Sequence, residues 1–221
     1  MNNNDITSGA TNPFFLREGQ DGGVASFLSP NVILVDAEYV DSVAFNLTVN
    51  FERMLERRIP KADLAHWLDC VALDGGIEPG NNEIQVLFLH EKKGVHHSFL
   101  ENFNPSDLEA EINGKAFKDT IGEFAMEAYP VTSDMTNKRD FFLETMQVIL
   151  NHEPVENVML LPNIEEYGHA VTSELKKNKK NVTLFSMSPI MGTGFNQQIL
   201  GYSLMSAMGI RGEEFNSQSG I

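Results

Sequence analysis

The sequence predicts an α/β protein: a three-layer domain with a mostly parallel five-stranded sheet flanked by helices. Three observations carry this prediction. The stretches VILVD (Val32–Asp36), IQVLFLHE (Ile84–Glu91) and VMLLP (Val158–Pro162) are nearly continuous apolar runs, the pattern of strands buried on both faces, as in a parallel sheet. These runs alternate with segments whose apolar residues recur at helical spacing, the order that builds βαβ units. The length, 221 residues with 42% hydrophobic and 21% charged, fits one domain with a full core. The boundaries predicted are a tail or arm over residues 1–30, one domain over 31–210 and a C-terminal tail over 211–221.

In chain order, VILVD is the first strand. The helix after it carries Val40, Val43, Ala44, Leu47, Phe51, Met54 and Leu55 on one apolar face. A second helix, from about Lys61 to Ala72, turns Leu64, Trp67, Leu68 and Val71 inward, and Gly75 and Gly76 stop it. IQVLFLHE is the second strand. Residues 94–114 hold a short helix near Pro105–Glu111. EFAMEAYPV (Glu123–Val131) is the third strand, followed by a turn and a helix with Phe142, Met146, Ile149 and Leu150 on one side. VENVMLLP supplies the fourth strand, a helix runs from about Glu165 to Lys177, and NVTLFSM is the fifth strand. The last helix runs from near Phe195 to Met208.

The net charge of −15, from 31 acidic and 16 basic residues, repels phosphate backbones at long range and argues against a large nucleic-acid footprint. A local metal-bridged contact escapes that argument. Cys70 is the only cysteine, so no intrachain disulfide can form, and its apolar neighbours mark it as a core thiol. No basic region followed by an apolar core opens the sequence, so no secretory signal is expected, and no apolar run approaches the ~18 residues that span a bilayer. A cytoplasmic protein that does not enter membranes is expected. The N-terminal patch Phe14–Leu16 could cover a neighbouring copy, giving a homo-oligomer.

The first strand ends on Asp36, with Glu38 two residues later. In an open α/β sheet the C-terminal strand ends share one edge, where ligands bind. That edge also receives Asp140, which opens the helix after the third strand, and Glu165 and Glu166, just past the fourth. Gathered carboxylates repel each other and persist when a divalent cation joins them; hard oxygen ligands suit Mg²⁺ or Mn²⁺. Each acid can also be a helix cap or a first-turn residue that complements the helix dipole.

The order of elements, together with VDAEYV, TNKRDFFLETM and VMLLPNIEEYGHAV, resembles the NYN domain of the PIN-like nuclease superfamily. Such domains begin with a strand ending in Asp within IDGxN; here Ala37 and Tyr39 stand where Gly and Asn are usual. TNKRDFF resembles the family's Lys-x-x-Asp helix start through Lys138 and Asp140, which stand one residue closer together than in that pattern. PNIEEY covers the family's SGDSDF, with Ile164 in place of the first Asp, Glu166 in place of the second and Tyr167 in place of Phe. The resemblance implies that Asp36, Asp140 and Glu166 are the metal-binding and catalytic residues, holding Mg²⁺ or Mn²⁺ to activate water against an RNA phosphodiester. The changed residues leave two function classes: a divalent-metal-dependent ribonuclease, weakened or not, with RNA as partner, and a non-catalytic interaction module with a protein partner.

DAEYV also resembles the nucleophile loop DxDx[TV] of haloacid dehalogenase-like phosphatases, with Asp36 as nucleophile and Glu38 in the second acid's place. GTGF (Gly192–Phe195) is a strand-to-helix turn, since it lacks the third glycine of a dinucleotide fingerprint. KKNKK (Lys176–Lys180), Arg57 and Arg58 sit at helix C-termini, where cations complement the dipole. His96 and His97 would point to opposite strand faces, and His169 lies one helical turn beyond Glu165.

Overall fold

The computed structural model describes residues 28–92, 98–131 and 136–216. The sheet has seven strands rather than five, in the order β5-β6-β3-β1-β7-β8-β9. Its members are β1 (Asn31–Asp36), β3 (Asn82–Glu91), β5 (Lys115–Lys118), β6 (Gly122–Val131), β7 (Asn157–Leu161), β8 (Asn181–Ser186) and β9 (Asn196–Ile199). All neighbours pair in parallel except β5 with β6. The two-residue strands β2 (Ala62–Asp63) and β4 (Phe103–Asn104) form a separate small ladder.

The five long helices make two outer layers. On one face, α1 (Ala37–Leu55), α2 (Leu64–Asp74) and α5 (Leu200–Ala207) pack Val40, Trp67, Leu68 and Leu204 on Ile33, Val35, Val86 and Phe88. On the other, α3 (Lys138–Asn151) and α4 (Ile164–Leu175) pack Phe142, Met146 and Val171 on Val32, Leu34, Leu87 and Leu160. The uniform apolar runs follow from this: β1 is buried at every position, since both faces meet helices. The predicted inward residues Leu64, Trp67, Leu68 and Val71 are all buried. None of the described helices is long and apolar enough to cross a membrane. The Phe14–Leu16 patch and His96 and His97 lie outside the described residues.

Caps set the helix limits. Asp36, Asp63, Asn137 and Asn163 each accept a backbone N–H from the first turn of the helix they precede. After α2 the chain turns through Gly76 at φ +86°, a conformation glycine adopts without steric cost. The predicted helix at 105–111 is a single π-helical turn, Leu108–Ile112. The predicted last helix starts late: Asn196–Ile199 extend β8 as a parallel edge strand, and α5 begins only at Leu200. GTGF therefore feeds a strand. The crossover before it hugs α4 so closely that a Cβ on Gly194 would lie 1.9 Å from the Leu175 carbonyl oxygen.

The N-terminal edge of the sheet is closed by an amide ladder. Asn196 donates to Asn181, Asn181 to Asn157, Asn157 to Asn31, and Asn31 to the Glu83 carbonyl, at 3.3, 2.8, 2.8 and 3.0 Å. This ladder gives polar side chains at four strand starts their partners.

Candidate functional site

Strands β1, β3 and β6 step outward in one direction, and the chain then returns to place β7, β8 and β9 on the other side of β1. The reversal falls between β1 and β7. In open α/β sheets the crevice at the C-terminal ends of such a pair is where ligands bind. Asp36 ends β1 at this point and is fully buried.

The crevice is closed over Asp36 by side chains from both returning helices. Lys138, the first residue of α3, places its Nζ 2.8 Å from Asp36 Oδ1 and 2.9 Å from Glu38 Oε2. Its side chain is only 10% exposed. The Tyr167 hydroxyl, from α4, donates to Asp36 Oδ2 at 2.5 Å, and the Tyr39 amide donates to Oδ1 at 3.1 Å. Glu38 also accepts the Glu91 amide at the end of β3, at 2.9 Å. Both oxygens of Asp36 are thus engaged, and a fixed ammonium bridges it to Glu38.

Tyr167 reaches this position through a break in its helix. Its backbone leaves the helical region at φ −134°, ψ 19° inside α4. The phenol ring packs beside Phe142 with ring centroids 5.5 Å apart, which fixes it over β1.

The electrostatics follow from burial and charge. Burial alone would lower the Lys138 pKa, but Asp36 and Glu38 together outweigh it and leave it above the ordinary lysine value. The Tyr167 phenol is raised by burial first and by the Asp36 charge and hydrogen bond next. Tyr39 is pushed up to about 12 by burial, with Glu165 and Asp36 adding to the effect. At neutral pH the cluster contains a cationic lysine and two neutral phenols.

The other predicted acids stand outside the Asp36–Lys138–Glu38 cluster. Asp140 is paired with its own helix cap: Asn137 Nδ2 donates to Asp140 Oδ2 at 2.7 Å, and the Asp140 amide donates back to Asn137 Oδ1 at 2.9 Å. Glu166 forms the same reciprocal pair with Asn163, both contacts at 3.2 Å. Glu165 and His169 are exposed on α4. No group of three His, Cys, Asp or Glu side chains placed to hold one metal ion occurs among the described residues. The groups that do converge are two carboxylates around an ammonium at 2.8 and 2.9 Å, the lengths of charge-assisted hydrogen bonds. A divalent cation entering there would also meet the Lys138 charge.

The remaining candidates have local roles. Lys180 donates to the His152 and Val155 carbonyls at 2.7 and 2.5 Å, closing the C-terminus of α3. Arg57 pairs with Glu214 at 2.7 Å and Arg58 with Glu52 at 3.7 Å. Cys70 is half-buried and its thiol is pushed up, chiefly by burial. His90, at the end of β3, was missed by the sequence reading. It is fully buried, and burial lowers its pKa against the opposing pull of Glu38 and of a backbone hydrogen bond at Glu91.

A family model described as a family of unknown function (DUF6621) matches residues 26–215. No curated protein and no solved structure matches the chain.

Proposed function

The chain belongs to a family of unknown function (DUF6621), and we propose that it is a non-catalytic interaction module built on an NYN/PIN-like scaffold, with Lys138 as the internal cation of the crevice. One observation carries this reading: Lys138 Nζ lies between Asp36 Oδ1 and Glu38 Oε2 at 2.8 and 2.9 Å. That is the place where a metal-dependent nuclease of this resemblance needs Mg²⁺ or Mn²⁺. An ammonium offsets part of the charge of the two acids without offering a coordination position for water, so it stabilises the fold and activates no nucleophile.

The partner that fits is a protein surface presenting basic side chains. Net charge −15 opposes an RNA backbone, and Glu165 and Glu166 stand exposed beside the crevice. The second reading, a metal-dependent ribonuclease, draws on Asp36 lying at the switch point of the sheet.

The test is titration with a Lys-rich peptide at low and physiological salt. The control for total charge is a Glu83→Gln/Glu123→Gln protein, altered at the opposite edge of the sheet where these residues pair. Glu165→Gln/Glu166→Gln should weaken binding several-fold more than the control. Equal weakening by both would reduce the interaction to bulk charge. Cleavage of single-stranded RNA with Mn²⁺ that stops in Asp36→Asn would favour the ribonuclease.

A further inference from the structure

Away from the crevice, two carboxyl groups meet with no cation between them among the described residues. Asp69 lies half-buried on α2, and its Oδ1 is shielded from water with no hydrogen-bond donor among the described residues. Its carboxyl contacts that of Asp119, in the turn between β5 and β6. Asp119 Oδ1 already accepts the amides of Ile121 and Gly122 at 2.7 and 3.2 Å. Those two N–H groups favour the ionised form of Asp119 and fix its direction. Two ionised carboxylates repel at such a contact. One proton between them turns the repulsion into a charge-assisted hydrogen bond.

We propose that Asp69 and Asp119 share one proton, which latches α2 to the β5–β6 turn, and that losing this proton loosens the contact. The proton resides on Asp69, because burial penalises its charge while backbone amides support that of Asp119. The charges acting on Asp69 come from Asp119 across the contact and from Asp63 at the start of its own helix, both acids. Cys70, the next residue, is neutral at pH 7, its thiol pushed up chiefly by burial. The turn is also tied to the link between α2 and β3, since Gly80 donates to the Thr120 carbonyl at 3.0 Å and Asn82 to that of Ile121 at 2.6 Å. The latch therefore controls how firmly the end of the sheet holds α2.

The pH window follows from the direction of the shift. Asp69 is raised from 3.8 to about 7 by burial first and by Asp119 next. Burial opposes the shift of Asp119, but the Asp69 hydrogen bond and the two amides leave it below the ordinary value. A folded pKa above the unfolded one gives stabilisation that is complete below the unfolded value and lost as pH rises through the folded value. The latch closes in mild acid and opens above neutrality.

Carboxyl ¹³C NMR titration of the parent, Asp69→Asn and Asp119→Asn proteins, with amide hydrogen exchange at two pH values, tests this. In the parent, one of the two aspartates should titrate well above the ordinary carboxyl range and the other below it. In Asp119→Asn the Asp69 midpoint should fall by about one pH unit or more. Exchange of the Ile121 and Gly122 amides, corrected for intrinsic rate, should be several-fold faster at pH 8.5 than at pH 5.5 in the parent. In Asp69→Asn, whose amide can donate to Asp119 at every pH, the two rates should match. Ordinary midpoints for both aspartates in the parent would overturn the proposal even if neither variant folded, and so would a pH effect on exchange that persists in Asp69→Asn.

Discussion

Replacing Lys138 with Met removes the ammonium and keeps most of the apolar stem. Asp36 is 0% exposed, so its carboxylate would remain buried with the Tyr39 amide and the Tyr167 hydroxyl as its partners among the described residues. Breaking a buried ion pair from one side typically costs ~3–5 kcal/mol. Glu38 is 37% exposed and can turn to water, so its share is small. For a domain of this size, 1 kcal/mol moves Tm by roughly 2–4 °C, so Lys138→Met should melt roughly 6–20 °C lower. The double variant Asp36→Asn/Lys138→Met removes both charges and should recover a substantial part of the loss, giving a coupling of ~1–3 kcal/mol in a double-mutant cycle. The ion pair also has a pH signature. Lys138 has its pKa raised on folding, so its contribution is complete below the ordinary lysine value and disappears as pH rises through the folded one. Thermal melts at pH 7 to 11.5 would read this, with the parent losing its advantage over Lys138→Met at the alkaline end. A Lys138→Met protein within 2 °C of the parent at pH 7, or single-variant losses that simply add, would refute the reasoning.

Three further outcomes are expected. Tyr167→Phe removes the donor to Asp36 Oδ2 and should cost roughly 1–3 kcal/mol by denaturant titration; an unchanged midpoint would mean that the phenol does not hold Asp36. Trp67, the only tryptophan, is fully buried against Phe103 at a ring-centroid distance of 5.2 Å. Its emission should be blue-shifted and Trp67→Ala should cost about 3–5 kcal/mol; water-like emission would contradict that packing. His90 has its pKa lowered by burial, so its stabilising contribution is present above the unfolded value, about 6.5, and is lost as pH falls through the folded value. His90→Phe should flatten the decline in Tm below pH 6.5, and an unchanged slope would assign the acid sensitivity to other groups.

The parts of the fold that sequence patterns reveal are those whose burial leaves a local trace. Val32–Asp36, Ile84–Glu91 and Asn157–Leu161 read as strands because both of their faces are covered. The edge strands leave no such trace. Lys115–Lys118 carries a lysine at each end, the chemistry of an exposed edge, and Asn196–Ile199 is polar and becomes a strand only because β8 offers it a ladder. The site divides in the same way. Asp36 was legible as an acid ending a buried strand, and Asp140 and Glu166 were legible as acids at the starts of their helices. The contact between Lys138 and Glu38 joins residues 100 apart, and no local pattern announces it. The helical break at Tyr167 is equally silent. The amide ladder left a signal in the asparagines at the starts of β1, β7 and β8, which the sequence reading passed over.

Metal-dependent melting of the parent and Lys138→Ala decides whether the Lys138 ammonium takes the place of a divalent cation. Each protein is melted with EDTA and with Mn²⁺, and Asp36→Asn/Lys138→Ala serves as the control that lacks the buried carboxylate. Anything that binds only the folded state raises Tm, by the equivalent of ~2.7 kcal/mol at a hundredfold excess over Kd. With the ammonium in that place, no Mn²⁺ shift is expected in the parent, a clear upward shift in Lys138→Ala, where Asp36 and Glu38 face a gap left by the ammonium, and none in the control. An upward shift in the parent that vanishes in Asp36→Asn would contradict the account and return the crevice to a working metal site.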